Sequence, residues 1–401
     1  MGERQTIGML VEGYPGQRTV AELSRLAAEG VSPRIHYVEV AKAVDGEVLD
    51  GPFMETSASP LARTVGRAAG PVAAQVTEAF LRRRRYTTVC AWSDRLGLPL
   101  ALLHKVARSN HDLVLVSQWL SRPKKALFVT RLGVDSHLRA ILNSSTYQID
   151  YAARELRIPE NKLHVAHRPV DERFWRTESP SNEDVVCAVG WEARDYGTLL
   201  AAVEGLRLDV TVAVGMIGMV AGKQDHRHDD AGSQADQDRL AVLAPWKRTF
   251  GYGMQEAWLE RVNRDGPPAN VTITYQLGAR ELRELYARSR FVVVPLHDVD
   301  SNCGVTTVTE AMSMGRAVIV TRIRGQSDVI THGEQGLYVP AGDAAALRAA
   351  IQHLMDHPEE AERMGRAGRA LVENRHAMDS YVAQLRSVLE GQTKSSAPLK
   401  R

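Results

Sequence analysis

Short apolar runs separated by glycine-rich or polar segments recur along the chain and predict strands that alternate with helices. The first run, Ile7–Val11, is followed by a loop with Gly13 and Gly16 and by a segment from Val20 to Ala27 whose apolar residues have helical spacing. We expect that helix to end at Gly30, because glycine adopts the left-handed conformation that closes many helices. This order of strand, glycine loop and helix is typical of a parallel sheet covered by helices on both faces.

The first half of the chain contains further strand candidates and then a segment without periodicity. The candidates are Arg34–Val40, Thr87–Trp92, Leu113–Ser117 and Arg139–Asn143. The stretch from Phe174 to Asp184 that follows is polar and contains a proline. It therefore predicts a domain boundary close to residue 178.

A second series of strands and helices begins directly after this boundary. The predicted elements are strands Val185–Val189, Asp209–Val214, Val271–Tyr275, Phe291–Pro295 and Ala317–Thr321, and helices Thr198–Val203, Arg280–Arg288 and Val305–Met314. Three C-terminal helices are Ala344–Met355 capped by Asp343, one opened by Pro358, and Met378–Leu389. We expect an α/β chain of two doubly wound, Rossmann-like domains, residues 1–177 and 178–377, with the ligand cleft between them. A C-terminal helix and tail, 378–401, could pack back on the first domain.

Composition and charge narrow the classes of protein that fit this pattern. The 401 residues include 50 Lys and Arg against 48 Asp and Glu, a net charge of +2, and 44% hydrophobic residues. Such a chain builds packed cores and has no overall attraction for nucleic acid. Three widely spaced cysteines, Cys90, Cys187 and Cys303, argue against disulfides and a structural zinc. Without a signal peptide or an apolar run long enough to span a bilayer, we expect a cytoplasmic protein.

Three polar clusters allow both an ordinary and a functional interpretation. Residues 223–239 contain no aliphatic side chain larger than alanine, so a surface loop is favoured over a metal site at His226, His228, Asp229 and Asp230. Arg82–Arg85 and Arg122–Lys125 could face an anionic membrane. Solvated helix ends are the commoner explanation for such runs, and peripheral membrane contact is therefore not favoured.

The segment 291–328 holds the most informative set of residues. An apolar strand gives way to a polar loop, and a helix then begins near Gly304. The backbone amides at the start of that helix, at Gly304, Val305 and Thr306, form an anion site at the carboxyl end of a parallel strand. A diphosphate suits such a site, and Cys303 adjoins it without a catalytic role.

Glu310 lies further along the same helix. It is about 9 Å from Gly304 at roughly 1.5 Å per residue, and on the same face as Thr306. A carboxylate set back by that distance from a phosphate can accept hydrogen bonds from both hydroxyls of a ribose. The residues alone leave this role and that of an ordinary helix-surface glutamate equally open.

In the residues around Glu310, the sequence resembles the retaining glycosyltransferases of family four, also described as glycosyl transferases group 1. The family's Glu-x7-Glu motif closes on Glu-Ala-Met-Ala-x-Gly, to which Glu310–Gly315 correspond. Similar residues continue through Ala317–Thr321, Asp328–Ile330, Gly333–Pro340 and Met364–Arg369. The resemblance is strong over residues 185–390 and implies the GT-B fold, in which two Rossmann-like domains face each other across a cleft.

The resemblance assigns roles to the two ends of the motif. The second Glu, here Glu310, holds the ribose of a nucleotide sugar in the family. The first Glu contacts hydroxyls of the donor sugar, and its place is taken by Asn302, which can donate and accept hydrogen bonds but carries no charge. Asp298 or Asp300 could supply the missing charge, although solvated loop residues are the favoured interpretation.

The resemblance also implies that two glycine loops face the donor phosphates. The second domain should carry a Gly-Arg…Lys loop; Gly190 opens it, Arg194 stands in the lysine place and Trp191 in the arginine place. Arginine can clamp phosphate oxygens with two hydrogen bonds, and surface pairing of Arg194 with neighbouring acids is the alternative. In the first domain Gly13 and Gly16 stand where the family has its other glycine loop, which a plain turn explains nearly as well.

A histidine close to the transferred sugar is common in the first domain of the family. The corresponding place here offers Ser117 and Gln118 instead. His104 and His111 are alternatives, each more simply explained as an ordinary core or surface histidine. The sequence does not identify the acceptor, because the acceptor surface belongs to this first domain, which resembles the family less closely.

The resemblance implies an enzyme that transfers a sugar from a nucleotide-activated donor to an acceptor with retention of anomeric configuration. The first domain would bind the acceptor and the second the nucleotide sugar, with Arg194, Asn302 and Glu310 as catalytic residues and no metal or other cofactor. Because Asn302 replaces the nearest carboxylate, we expect front-face displacement, in which the leaving diphosphate takes the acceptor's proton. The alternatives are a nucleotide-sugar epimerase of the same fold and a catalytically silent protein that binds a nucleotide sugar.

Overall fold

The computed structural model describes residues 6–14, 16–177, 183–215, 253–275 and 277–391. The chain forms two compact units. The first takes in residues up to 174, with 300–302 and the residues from 374 onwards, and the second takes in 175–299 and 303–373. Residue 178, at the expected domain boundary, lies outside the described residues.

The first unit contains a six-stranded parallel sheet in the order β2-β1-β3-β4-β5-β6. In chain order its strands are β1 (Ile7–Leu10), β2 (Glu47–Leu49), β3 (Thr88–Ala91), β4 (Asp112–Val116), β5 (Ala140–Asn143) and β6 (Leu163–Val165). Its helices are α1 (Val20–Ala28), α2 (His36–Ala43), α3 (Gly51–Ser57), α4 (Pro60–Ala69), α5 (Pro71–Arg82), α6 (Asp94–Val106), α7 (Pro123–Thr130) and α8 (Thr146–Arg154). Strands β1, β3 and β5 are buried along their whole length, as expected for parallel strands covered on both faces.

The second unit contains another six-stranded parallel sheet, in the order β12-β11-β10-β7-β8-β9. Its strands are β7 (Val185–Val189), β8 (Asp209–Val214), β9 (Val271–Tyr275), β10 (Phe291–Val294), β11 (Ala317–Thr321) and β12 (Gly336–Val339). The described helices of this unit are α9 (Tyr196–Val203), α10 (Gly253–Asp265), α11 (Ala279–Arg288), α12 (Val305–Ser313), α13 (Ala344–Asp356) and α14 (Pro358–Leu371). The last helix, α15 (Met378–Leu389), belongs to the first unit.

Successive residues of each strand pack into separate cores on the two faces of a sheet. In the first unit Leu113 and Leu115 pack with α5, α6, α7 and α8. Val114, which lies between them in β4, packs with α2 and α15 on the opposite face. No helix in the described part of the chain is long and apolar enough to cross a membrane.

Each sheet has one point where the direction of strand addition reverses. In the first sheet the chain adds β2 on one side of β1 and then β3 on the other; in the second it adds β8 and β9 on one side of β7 and then β10 on the other. Crevices at the carboxyl ends of the strands beside such a switch point are the usual ligand sites of doubly wound sheets. The loops that follow β7 and β10 are therefore the expected ligand site of the second unit.

The predicted strand Arg34–Val40 is wrong, because these residues enter helix α2 at His36. The buried residues of α2 are Tyr37, Val38, Val40 and Ala41. This spacing places them on one face of a helix, which packs on the sheet and outweighs the strand preference of two β-branched valines. The short strands β2, β6 and β12 had no counterpart in the sequence-based prediction.

A buried histidine lies at the end of α6. His104 is 0% exposed, with its ring 5.3 Å from that of Phe80 and 5.8 Å from that of His111. Its Nδ1 lies 3.2 Å from Ser109 Oγ, while Nε2 has no hydrogen-bond partner among the described residues. Burial, followed by the charges of His111 and Arg83, lowers the pKa of His104 to about 4. The folded protein therefore holds this imidazole neutral.

Acid should destabilise the protein through His104. An unfolded chain protonates this side chain near pH 6.5, whereas the folded state resists until about pH 4, so stability falls as the pH is lowered between these values. We expect His104→Phe to remove about 3 kcal/mol of that loss, measured by urea unfolding at several pH values. An unchanged profile in His104→Phe would show that other groups carry the acid sensitivity.

Candidate active site

The loops that follow β7 and β10 meet at the switch point of the second sheet. Two backbone hydrogen bonds join them: Asp195 N–H donates to the carbonyl oxygen of Pro295 (3.0 Å) and His297 N–H donates to that of Ala193 (2.9 Å). The loops are thereby held together at the carboxyl ends of neighbouring parallel strands. Most of the residues predicted to bind a donor lie on these loops or on α12, which follows the second of them.

Gly190 is required both by its backbone conformation and by its surroundings. Its φ of +115° lies in the region that favours glycine. A Cβ at this position would lie 2.3 Å from Nη2 of Arg194. The Gly190 amide donates to the carbonyl oxygen of Ala213 (3.0 Å), and its own carbonyl accepts from the Tyr196 hydroxyl (2.7 Å). The turn is therefore fixed on both sides while it leaves room for a guanidinium.

Arg194 is 3% exposed and connects three parts of the site. Its Nε donates to the carbonyl oxygen of Val189 (2.8 Å) and Nη1 to that of Glu192 (2.9 Å). Its Nη2 donates to the hydroxyl of Thr307 in the first turn of α12 (2.9 Å). The alternative of a surface ion pair at Arg194 is therefore wrong. A buried positive charge beside the positive end of a helix dipole makes this end of α12 attractive to an anion.

The start of α12 is shaped by Gly304, which has φ +86° and lies just before the first helical residue. A Cβ on Gly304 would lie 3.3 Å from Nη1 of Arg194, so the guanidinium approaches the backbone here as well. Cys303 and Val305 are buried, whereas Thr306 is exposed. This first turn has backbone amides that find no partner within the helix, the usual donors of an anion site.

Glu310 is 5% exposed, so its interpretation as an ordinary helix-surface residue is wrong. Its Oε2 accepts a hydrogen bond from the hydroxyl of Tyr286 on α11 (3.1 Å). Burial of Tyr286, and next the charge of Glu310, raise the pKa of the tyrosine well above its ordinary value, whereas the charge of Arg194 lowers it. Arg194 and Glu310 thus act on the same tyrosine, which places both predicted residues in one electrostatic neighbourhood.

Sequence analysis missed Thr307 and Tyr286. Thr307 has a signal in hindsight, because it lies three residues before Glu310 and therefore on the same face of α12. Tyr286 has none, because it reaches Glu310 from another helix. Its ring also packs edge-on against that of Trp175, with centroids 5.6 Å apart.

Residues 300–302 belong to the first unit. There the Trp119 indole N–H donates to Oδ1 of Asp300 (2.6 Å), and the Gln148 side-chain amide donates to the Asp300 carbonyl oxygen (2.6 Å). The Asn302 side-chain amide donates to the hydroxyl of Ser144. Asp300 is therefore not a merely solvated loop residue, whereas Asp298 is exposed and fits that interpretation. The contact of Asn302 with a donor sugar stays a prediction.

The predicted glycine loop of the first unit contains two different kinds of glycine. Gly16 has φ +75° and open space around the position of a Cβ, as in a plain turn. A Cβ on Gly13 would instead lie 2.7 Å from the amide nitrogen of Gly51, so the backbones of two loops approach closely here. Ser117 is buried and Gln118 exposed. Donor binding at Gly16 stays a prediction.

Comparison with known proteins identifies sequence relatives for part of the chain. The family model described as glycosyl transferases group 1 matches residues 248–357. The D-rhamnosyltransferase WbpZ of Pseudomonas aeruginosa is 39% identical over 80 residues, which are 20% of this chain and 21% of that protein. The glycogen synthase of Mycobacterium tuberculosis is 28% identical over 141 residues, 33% of each protein. The match thus spans between a fifth and a third of the length of these curated relatives.

Solved structures resemble this chain over nearly its whole length. HepE from Anabaena, solved in complex with UDP and glucose, has a TM-score of 0.65 at 14% identity and covers 96% of this chain and 100% of its own. Sucrose-phosphate synthase from Thermosynechococcus elongatus has a TM-score of 0.64 at 16% identity, with coverages of 97% and 99%. At these identities the likeness concerns the fold, and it confirms the expected two-domain α/β architecture of the GT-B type.

Proposed function

We propose that this protein is a glycosyltransferase of family four that moves a sugar from a nucleoside diphosphate donor to an acceptor hydroxyl with retention of anomeric configuration. The observation that chiefly supports the proposal is the buried Arg194 guanidinium, held by Thr307 against the first turn of the helix that carries Glu310. A cation and helix amides suit a diphosphate, and the carboxylate further along suits a ribose. The family match and the solved relatives bound to UDP support the same assignment.

In the proposed reaction the bond between the anomeric carbon and the diphosphate oxygen breaks as the acceptor oxygen bonds to the same face of that carbon. The acceptor proton passes to the leaving diphosphate oxygen. Negative charge grows on the diphosphate during this step, so Arg194 and the amides of Val305 and Thr306 stabilise the transition state more than the bound donor. Glu310 orients the donor through its ribose, and Asn302 contacts hydroxyls of the sugar. Because the acceptor oxygen attacks the anomeric carbon directly, the proposal requires no covalent nucleophile. Because Arg194 supplies positive charge at the diphosphate, the proposal requires no bound metal.

The test begins with a panel of nucleoside diphosphates and their sugars, screened by thermal shift. A ligand at 100 times its dissociation constant should stabilise the protein by about 2.7 kcal/mol. The best donor is then incubated at high enzyme concentration, and the sugar first released by slow hydrolysis is observed by proton NMR before it mutarotates. An α-linked donor should release the α-sugar, which tests retention without knowledge of the acceptor.

The other outcomes of this test separate the alternatives. First release of the β-sugar would contradict retention but not sugar transfer itself. Conversion of the donor sugar into its epimer, without release of nucleoside diphosphate, would identify an epimerase. Stabilisation by a nucleotide sugar without any turnover would indicate a catalytically silent binding protein, and no stabilisation by any member of the panel would contradict the donor site.

A further inference from the structure

Positive charge is concentrated in one part of the first unit. Residues 60–139 contain 14 Lys and Arg but only four Asp and Glu, a net charge of +10, whereas the rest of the chain carries −8. Every residue of this range is described, and none of its four acidic side chains is exposed. Glu78 and Asp94 are buried, and Asp112 and Asp135 are partly buried. The charged surface of this part of the unit is therefore cationic almost throughout.

The ends of three helices bring exposed cations together at the end of the sheet where its parallel strands begin. Helices α5, α6 and α7 end where β3, β4 and β5 begin, because each helix precedes one of these parallel strands. We call the surface at the amino-terminal ends of these strands the basic edge; its exposed cations are Arg84, Arg85, Lys105, Arg108 and Arg131. Lys105 Nζ donates to the carbonyl oxygens of Leu132 (2.7 Å) and Gly133 (2.9 Å), which joins the end of α6 to the segment after α7.

The pKa values of three histidines reflect the positive potential of the basic edge. Burial is the main cause that lowers the pKa of His111 and that of His137. The charges of Arg83 and Arg84 lower the pKa of His111 further, and those of Lys105 and Lys162 lower the pKa of His137 further. The pKa of His104 is lowered by burial, by both of these histidines and by Arg83. Cations from α5, α6 and the segment before β6 therefore act on one region.

Large apolar side chains are exposed among these cations. They are Leu81 (43% exposed), Leu103 (36%), Val106 (75%) and Leu132 (42%). Leu81 precedes the arginines at the end of α5, and Val106 ends α6 beside Lys105. Leu132 follows Arg131, and its carbonyl accepts from Lys105. Apolar side chains rimmed by Lys and Arg are the composition of surfaces that lie in the interface of a lipid bilayer.

We propose that the basic edge docks this protein on an anionic lipid surface, with the cations at the headgroups and Leu81, Leu103, Val106 and Leu132 inserted between them. A second copy of the chain does not suit this surface, because two strongly cationic faces repel each other. A nucleic acid would leave the apolar side chains without favourable contacts, since its backbone is read by charged and polar groups.

The structure also changes the interpretation of the two basic runs in the sequence. Arg82 pairs with Glu78, and the guanidinium of Arg83 lies over the ring of Phe80, so these two are already engaged within the unit. Arg122 lies over Trp119, and Lys125 pairs with Asp94. The proposed surface therefore depends on helix ends brought together by the fold rather than on either run as a whole.

The test is a sedimentation assay of the full-length protein with two kinds of vesicle. We expect binding to vesicles of equal parts phosphatidylcholine and phosphatidylglycerol, weakening as sodium chloride is added, and none to phosphatidylcholine alone. Each cation near such a membrane contributes roughly fivefold in affinity, so the triple variant Arg84→Gln, Arg85→Gln, Arg131→Gln should bind about 100-fold more weakly. The double variant Val106→Ser, Leu132→Ser, which keeps every charge, should bind about tenfold more weakly.

The matched control removes three exposed cations from the second unit, in the variant Arg207→Gln, Arg288→Gln, Arg366→Gln. It should bind the mixed vesicles as the wild type does, and circular dichroism should show that every variant is folded. Absence of wild-type binding at low salt, or equal losses in the control, would overturn the proposal. Loss in the arginine variant with none in the Val106 and Leu132 variant would also overturn it, because a surface that binds polyanions without insertion suits an acidic protein instead.

Discussion

Glu310→Ala should weaken binding of the nucleoside diphosphate by about 100-fold, since two hydrogen bonds from ribose hydroxyls to a carboxylate contribute roughly 3 kcal/mol together. The comparison that isolates this contact uses calorimetric titration of the preferred nucleoside diphosphate and of its 2′,3′-dideoxy analogue. The wild type should bind the analogue as weakly as Glu310→Ala binds the natural ligand. The variant, which has no carboxylate left to contact the hydroxyls, should bind both ligands equally.

The buried neighbour of Glu310 provides the control. Tyr286→Phe removes the hydroxyl that donates to Oε2 of Glu310 but leaves the carboxylate in place. We expect it to cost about 1 kcal/mol of stability and to change nucleotide affinity by less than about fivefold. If Glu310→Ala still distinguishes the natural ligand from the dideoxy analogue, Glu310 does not bind the ribose. If Tyr286→Phe loses as much affinity as Glu310→Ala, the hydroxyl of Tyr286 is needed to position the carboxylate.

Two inner strands of the second sheet were predictable because they are buried on both faces. Val185–Val189 is apolar throughout and Ala317–Thr321 is apolar up to its last residue; both were predicted with the bounds that the structure has. Strand β2, by contrast, has only three residues and lies at an edge of its sheet, with Glu47 exposed. A strand that is short and half solvated leaves no apolar run for sequence analysis to detect.

Helix α2 shows how local preference fails when packing decides the structure. Val38 and Val40 alternate as in a strand, yet both belong to the buried face of a helix that packs on the first sheet. The contacts that stabilise this helix come from residues far away in sequence, such as Tyr381 and Leu385 on α15. Sequence-based propensity is a weak guide wherever such tertiary contacts dominate.

The candidate site was partly predictable, because in a doubly wound sheet the loops that follow neighbouring strands lie close together. Gly190, Arg194 and Gly304 follow β7 and β10, so their proximity at the switch point could be inferred from strand order. The burial of Arg194 and its hydrogen bond to Thr307 could not be inferred from the sequence, because both depend on the exact rotation of α12. Nor could sequence analysis show that Asn302 contacts Ser144 within the first unit, since the two are distant in the chain.

Arg194→Met should reduce affinity for the nucleoside diphosphate by about 100-fold while affinity for the matching nucleoside changes by less than about twofold. The methionine keeps an unbranched side chain but removes the charge beside the first turn of α12. It also leaves the carbonyl oxygens of Val189 and Glu192 without this donor, at a cost of about 3 kcal/mol in stability. Titrations at a temperature where the variant is folded measure the two affinities, and urea unfolding measures the stability.

Arg316→Met separates the phosphate role of Arg194 from the general cost of replacing a buried arginine. Arg316 is 4% exposed in the same unit and donates to the carbonyl oxygen of Ala287, but it lies beyond the carboxyl end of α12, away from the switch point. We expect its replacement to lower stability and to leave the ratio of diphosphate to nucleoside affinity unchanged. Gly190→Ala keeps the Arg194 charge but displaces it, because the new Cβ would lie 2.3 Å from Nη2, so it should lower the same ratio as Arg194→Met does. Equal losses of diphosphate and nucleoside binding in Arg194→Met would mean that this arginine holds the loops in place and does not contribute to phosphate recognition.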